Sequence, residues 1–89
     1  MKNIYSYILK AGDSNIIEIK SEKLLSTIGK DDDIIIYMIV DDYIPNKKFE
    51  IRAFGTNVGV IDEIENYIFL NTVKTNQCIY HVFYREIDN

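Results

Sequence analysis

Seven consecutive apolar residues, Ile34 to Val40, lie between two groups of aspartates. In an extended strand successive side chains point to opposite faces, so this run is apolar on both of its faces. A strand of this kind belongs in the middle of a sheet and is covered on both sides. The run therefore predicts a fold organised around a β-sheet.

Shorter runs in which apolar and polar residues alternate occupy much of the remaining chain. Alternation of this kind is typical of a half-buried strand. Turn residues separate the runs, and those at 74–77 join the last two runs as a hairpin. The strands predicted in this way cover residues 3–9, 16–20, 48–54, 67–73 and 78–85.

Two segments have other patterns. Residues 21–29 fit either a helix capped by Ser21 or a strand. Residues 59–66 place apolar side chains at helical spacing, which predicts one or two turns of helix. Closely spaced strands without long helices require antiparallel connections. We therefore predict a mainly β fold, a small antiparallel sheet of six or seven short strands with at most one short helix near 60–66, in a single domain of residues 1–89.

Stability is a concern for a chain of 89 residues, because it buries only a modest fraction of its unfolded surface. The single cysteine excludes an intramolecular disulfide. A composition that is 47% hydrophobic and includes seventeen isoleucines compensates in part. Burial of further surface between subunits is a second compensation, and we expect a homo-oligomer.

The sequence also argues against several environments and partners. It has no N-terminal apolar segment of a leader and no apolar span of about 18 residues, so we expect neither secretion nor a membrane. The lone Cys78 agrees with a reducing cytoplasm, and its apolar neighbours predict a buried thiol. A net charge of −4 with two arginines fits poorly with duplex nucleic acid. A small anionic ligand stays compatible, because one pocket needs only a few local cations.

Aspartates 31–33 and 41–42 flank the apolar run and raise the question of a divalent cation site. Hard cations need several converging carboxylates, and the spacing of a calcium loop is absent. Charged residues beside an apolar strand also protect it against aggregation. We expect no metal site and no cofactor. Because no nucleophile motif is present, we also expect no enzymatic activity and no catalytic residues.

The only histidine, His81, lies in the apolar and aromatic run from Cys78 to Tyr84. In a strand it lies between Ile79 and Phe83 on one face. Three roles are open for His81: a hydrogen-bonded structural residue, a ligand contact or a general base. A catalytic role would require an activated nucleophile and an orienting carboxylate, and no motif supplies them.

Residues Phe54 to Asn57 end a predicted strand with a glycine-containing loop. Gly55 lets backbone N–H groups approach a ligand, and Thr56 and Asn57 add hydrogen-bonding groups. The alternative is a plain turn that needs a left-handed conformation at Gly55 or Asn57. Arg52 shares a strand face with Phe54, so both can address one site.

The order of short motifs along nearly the whole chain resembles a family of small, uncharacterised phage proteins of about this length. The best marker of that family is Phe-Gly-Thr-Gly after a strand, and the pattern closes with a strand like Trp-His-Val-Phe. The corresponding residues here are 54–57 and 80–83, with Asn57 in place of Gly and Tyr80 in place of Trp. Further matches lie at 7–9, 17–19, 24–27, 37–41 and 67–73.

The resemblance implies a strand rather than a helix at residues 23–28. Small β-rich phage proteins of similar size oligomerise and sequester signalling nucleotides of bacterial defence. Anti-CBASS sponges capture cyclic dinucleotides such as cyclic GMP-AMP, and anti-Thoeris sponges capture cyclic ADP-ribose isomers. By analogy we expect an immune-evasion protein that binds such a nucleotide, without cleaving it, in the cytoplasm of the infected bacterial host.

The predicted ligand site combines positive charge, aromatic rings that stack on bases, and groups that hydrogen-bond phosphates or base edges. Its residues are Arg52, Phe54, Gly55, Thr56, Asn57, Tyr80 and His81. The alternative hypothesis is a protein-interaction module that blocks a host defence protein or assists phage assembly. It would use exposed aromatic residues and the acidic surface as its interface.

Overall fold

Seven β-strands and one short 3₁₀ turn form residues 1–87, the part of the chain that the computed structural model describes. The 3₁₀ turn covers Asp62–Asn66, and this part of the chain contains no helix long and apolar enough to cross a membrane. The predictions of a mainly β fold and of at most one short helix near 60–66 are confirmed. The strands are β1 Lys2–Leu9, β2 Asn15–Ile19, β3 Ser21–Lys30, β4 Asp33–Asp41, β5 Lys47–Gly55, β6 Ile68–Lys74 and β7 Ile79–Ile87.

The strands divide between two sheets that pack face to face. Strands β1, β4 and β3 form a three-stranded sheet in that order, and β2, β5, β7 and β6 form a four-stranded sheet. Every pair of neighbouring strands is antiparallel. Two stacked sheets cover one another's apolar faces, which a single sheet of the same strands would leave in water.

The hydrophobic core lies between the two sheets. In β4 and β5 every second side chain points into it, as alternation of the strand requires. The sequence pattern of β5 therefore identifies its inward residues correctly, whereas β4 is apolar on both faces and its pattern does not distinguish them. The buried apolar residues of the core are Leu9, Ile17, Leu24, Ile34, Ile36, Met38, Val40, Phe49, Ile51, Ala53, Val73 and Val82.

The two sheets approach each other most closely where β3 meets β6. The Asn71 side-chain amide donates to the Thr27 carbonyl at 2.8 Å, and its oxygen accepts from the Thr27 N–H at 3.2 Å. Nearby, a Cβ on Gly29 would lie 1.8 Å from the carbonyl oxygen of Lys74. The backbones can therefore pass only because residue 29 has no side chain.

Residues 21–29 form strand β3 and not a helix. The pairing of β3 with β4 shifts register twice, between Ser21 and Lys23 and between Leu24 and Ser26. Each shift places an extra residue in one strand, which interrupts the alternation of buried and exposed side chains. This interruption explains why the apolar residues of the segment also fit helical spacing.

Strand β4 is the central strand of its sheet, as predicted, but the expected cover over both of its faces is wrong. The four-stranded sheet packs against one face only. Ile35, Tyr37 and Ile39 point to the other face and are partly exposed. Residues 1–87 form two layers, so nothing in this part of the chain covers the outer side of the three-stranded sheet.

We predict that Gly29→Ala destabilises the fold, because the new methyl group meets backbone rather than a flexible side chain. Overpacking costs typically about 1–3 kcal/mol, and we expect a loss at the upper end of this range. Urea denaturation measures it. Gly59→Ala is the matched control, since a Cβ there has no atom within 4 Å. Equal stability of the two variants would contradict the prediction.

Candidate functional site

A cavity of about 510 Å³ opens at one end of the four-stranded sheet. Its walls come from the turn at 11–12, the end of β5, the loop 58–61, residue 78 just before β7, and residue 80 within β7. Strands β5 and β6 are both antiparallel to β7, which lies between them. The connection from 56 to 67 must therefore cross β7, and the early part of this crossing forms one wall of the cavity.

Two residues in left-handed conformation shape the opening. Gly12 has φ of 82°, and its N–H donates to the Ala53 carbonyl at 3.2 Å, which holds the turn against β5. Asn57 has φ of 67° and lies in a turn in which the Val58 N–H donates to the Gly55 carbonyl at 3.2 Å. Asn adopts this conformation more readily than most residues. The predicted turn after β5 thus uses Asn57 for its left-handed position.

The cavity is mostly apolar and has one charged side chain among the residues that line it. The loop 58–61 supplies apolar surface together with Phe54, and the charge comes from Arg52. A Cβ on Gly12 or Gly59 would meet no atom within 4 Å. The backbone at these two glycines is therefore accessible to a ligand.

Cys78 is exposed and lines the cavity, so the prediction of a buried thiol is wrong. The residue precedes β7, and the alternation of that strand does not extend to it. The neighbouring Tyr80 hydroxyl has its pKa raised above the usual 10, first by the hydrogen bond with Cys78 and then by burial. Tyr80 is therefore a neutral hydrogen-bonding group at neutral pH.

Four of the seven residues predicted for the ligand site line the cavity, namely Arg52, Phe54, Gly55 and Tyr80. The other three do not. Asn57 lies in the exposed turn after β5. Thr56 and His81 contact each other outside the cavity.

His81 lies on the outer face of the four-stranded sheet, opposite the core. Its Nε2 is 2.8 Å from the Thr56 hydroxyl, and its Nδ1 is 2.9 Å from the Thr72 hydroxyl. Both ring nitrogens are thus engaged with side chains of the protein. This geometry favours the structural role among the three that the sequence left open.

Glu50 lies on the same outer face and is buried by its partners. Its carboxylate accepts hydrogen bonds from Tyr67 at 2.7 Å, Arg85 at 2.8 Å, Arg52 at 3.2 Å and the Ser14 hydroxyl. Burial raises the pKa of Glu50, but the hydrogen bonds outweigh burial and lower the pKa to about 2. The carboxylate therefore stays charged and holds the Arg52 guanidinium beside the cavity.

The Glu50 cluster is absent from the sequence predictions. It depends on the register that places Glu50 directly opposite Arg85, and on the crossover that brings in Tyr67. The Arg85 guanidinium also lies over the Tyr67 ring, 4.8 Å from its centroid. The sequence contains one signal for this cluster. Both arginines of the chain lie in predicted strands, where a charged side chain needs a partner such as a carboxylate. The sequence predictions do not include the cavity wall at 58–61 either, because residues 59–66 have helical spacing and the structure confines the turn to Asp62–Asn66.

The aspartates that flank β4 do not gather into a site. Among residues 1–87, no three His, Cys, Asp or Glu side chains are grouped to hold a metal ion. Asp41 is buried, and its carboxylate accepts the Tyr43 N–H at 3.0 Å. This bond stabilises the turn that follows β4.

Comparison with known proteins assigns the chain to a family whose description names no activity. The family described as "Domain of unknown function (DUF7352)" matches residues 1–89. The chain belongs to this family. Searches of curated proteins and of solved structures give no match. Since the description of DUF7352 names no activity, a function has to be argued from the chemistry of the cavity.

We predict that Glu50 makes the stability of the fold depend on pH. Its carboxyl group releases its proton more readily when folded, with a pKa of about 2 against an ordinary 4.5. This stabilisation is therefore present above pH 4.5 and is lost as the pH falls towards 2. It amounts to at most about 3 kcal/mol.

The measurement is urea denaturation of wild type and Glu50→Gln between neutral and acidic pH. The variant should be less stable at pH 7, and the difference should shrink as the pH falls. Glu18→Gln is the control, because Glu18 is an exposed carboxylate in the same sheet. A difference between wild type and Glu50→Gln that stays constant with pH would contradict the prediction.

Proposed function

We propose that this protein binds and sequesters a signalling nucleotide of bacterial defence, a cyclic dinucleotide such as cyclic GMP-AMP, without cleaving it. The observation that carries the proposal is that Arg52, Phe54 and Tyr80 all line one cavity. A guanidinium binds phosphate oxygens in a planar, bidentate manner, and aromatic rings stack on bases. Together these groups suit an anionic ligand with flat rings.

The size and lining of the cavity support a ligand of this class. Its volume of about 510 Å³ lies within the range of roughly 300–1,000 Å³ that is common for small-molecule sites. The apolar loop 58–61 can cover a base. The open backbone at Gly12 and Gly59 leaves room for polar groups of the ligand.

The lining residues favour binding over turnover. Among the described residues that line the cavity, none is a carboxylate or an imidazole that would act as a general base for Cys78. The His81 imidazole is held by Thr56 and Thr72 outside the cavity. We therefore expect the bound nucleotide to stay intact.

The proposal includes a homo-oligomer that acts in the cytoplasm of an infected bacterium. The resemblance to oligomeric phage sponges supports both parts. The free thiol of Cys78 agrees with a reducing compartment.

A second candidate function is a protein-interaction module that blocks a host defence protein or assists phage assembly. It is favoured by Ile68 and Phe69 at the start of β6, which are 56% and 54% exposed. The two side chains point to opposite faces of the sheet, and Phe69 packs against the Phe83 ring on the outer face with centroids 5.4 Å apart. Aromatic residues are enriched in protein interfaces. Capture of one dominant host protein by a chain that binds no nucleotide would favour this function.

The first experiment identifies the ligand. The purified protein is incubated with a pooled mixture of cyclic nucleotides, separated from free ligand and denatured, and the released molecules are analysed by mass spectrometry. We expect one nucleotide, recovered intact. A hydrolysed product would contradict sequestration, and an empty eluate from folded protein would contradict nucleotide binding.

We predict that Arg52→Gln weakens binding of the recovered nucleotide by about 10- to 100-fold, the effect of losing a charged hydrogen bond. Glu50 retains Arg85, Tyr67 and Ser14, so the fold should persist. Calorimetric titration measures the affinity. Lys48→Gln removes the same charge from the same strand outside the cavity, and an equal loss in this control would contradict a direct contact.

A further prediction locates the ligand by the reactivity of Cys78, the single cysteine. Because the thiol lines the cavity, a bound nucleotide should slow its alkylation by maleimide in proportion to occupancy. Denatured protein with and without nucleotide serves as the control and should react equally fast. If saturating nucleotide leaves the rate in the folded protein unchanged, the ligand binds elsewhere.

A further inference from the structure

Strand β1 lies at an edge of its sheet, and both of its faces are exposed. Among the described strands it pairs with β4 alone, and of its eight residues only Leu9 is buried. Ile4 and Ile8, 67% and 56% exposed, lie on the outer face of the sheet. Tyr5 and Tyr7, 51% and 44% exposed, point towards the side of the second sheet. The strand is therefore apolar, uncovered and open along one edge.

The other edge strands of the molecule are protected and β1 is not. Strands β3 and β6 both contain register shifts and cover each other through the contact of Thr27 with Asn71. Strand β2 has only five residues. Strand β1 pairs with β4 over eight residues without a shift, and its one charged residue, Lys2, is bound to Glu22 at 2.8 Å. Long, regular and apolar edges pair with another strand when one is available.

The sequence of β1 indicates which strand would pair with its open edge. Residues 4–8 read Ile-Tyr-Ser-Tyr-Ile and are the same in both directions. In an antiparallel pair around a two-fold axis at Ser6, Ile4 meets Ile8 of the second copy and Tyr5 meets Tyr7. Like side chains then face each other on both sides of the sheet. A second copy of this chain is the partner that fits this pattern.

We propose that two copies of the protein pair through β1 around a two-fold axis at Ser6. The two three-stranded sheets then join into one sheet in the order β3-β4-β1-β1-β4-β3. This interface requires no nucleotide, and it stands whether or not the cavity binds one.

The contact area indicates the size class of the interface. Eight residues make β1 about 27 Å long, and stacked sheets lie about 10 Å apart. Strands β1 and β2 end their two sheets on the same side, and a face of these dimensions covers roughly 270 Å² per copy before the projecting side chains are counted. This is less than the about 800 Å² per partner of a standard stable interface. We therefore expect a reversible dimer with a micromolar dissociation constant.

The test uses two serines that are matched by the fold. Ser6 of β1 and Ser26 of β3 both lie opposite Tyr37, on either side of it, and both are exposed on the outer face. In the dimer Ser6 meets its own copy, whereas Ser26 lies far from the axis. Ser6→Lys therefore places like charges opposite each other, and we expect it to raise the dissociation constant by about tenfold or more. Ser26→Lys should leave the dissociation constant unchanged.

Sedimentation velocity without nucleotide, over concentrations of about 1–100 μM, measures the equilibrium of both variants and of wild type. Circular dichroism confirms that each variant is folded. Mixing Ser6→Lys with Ser6→Asp should restore the dimer through opposite charges. In a Cys78→Ser background, Ser6→Cys should form an intermolecular disulfide, since residues directly opposite in a sheet lie about 4.5–5.5 Å apart.

Loss of the dimer in Ser6→Lys alone, with rescue by Ser6→Asp, supports the proposal. A wild type that is monomeric throughout this range overturns it. A dimer that resists Ser6→Lys, or that Ser26→Lys weakens equally, overturns the β1 interface. A chain that stays monomeric but retains a foreign protein through β1 overturns the assignment of the partner to a second copy.

Discussion

The close approach of β3 and β6 is the contact on which the rest of the architecture depends. Gly29 passes the Lys74 carbonyl without room for a Cβ, and Asn71 binds the backbone of Thr27 almost as a neighbouring strand would. This contact closes one side of the two-sheet sandwich. The opposite side, where β1 and β2 end their sheets, is left open. Because the sandwich is closed on one side and open on the other, the edge strand β1 has both of its faces exposed to water.

The placement of β6 also determines where the cavity forms. Since β7 separates β5 from β6, the connecting segment crosses the outer face of the sheet. Tyr67 ends this crossing and donates to Glu50, which fixes the segment to β5. Glu50 simultaneously binds Arg52 and Arg85. Two guanidiniums against one carboxylate leave a positive charge beside the cavity, which is the condition for holding an anion in largely apolar surroundings.

Alternation in the sequence was sufficient to predict most strands and the inward residues of β5. It was insufficient for β3, where two register shifts disturb the period, and for Cys78, which precedes β7 and does not follow the pattern of that strand. Arg52 and Phe54 lie on one strand, and their common face follows from local geometry, so the sequence alone could place these two predicted site residues together. The surroundings of Glu50 and His81 depend on pairing between distant strands, which no local pattern specifies.

The open edge and the cavity are joined by a short segment. Strand β1 ends at Leu9, and Gly12, two residues after Lys10, lines the cavity. The buried Asn15 side chain holds this segment by bonds to Lys10 and to Ile51 in β5. If pairing of β1 changes the affinity for a ligand, the ligand must change the affinity of pairing by the same factor. The bonds of Asn15 argue for a rigid segment, and rigidity predicts that the two equilibria are nearly independent.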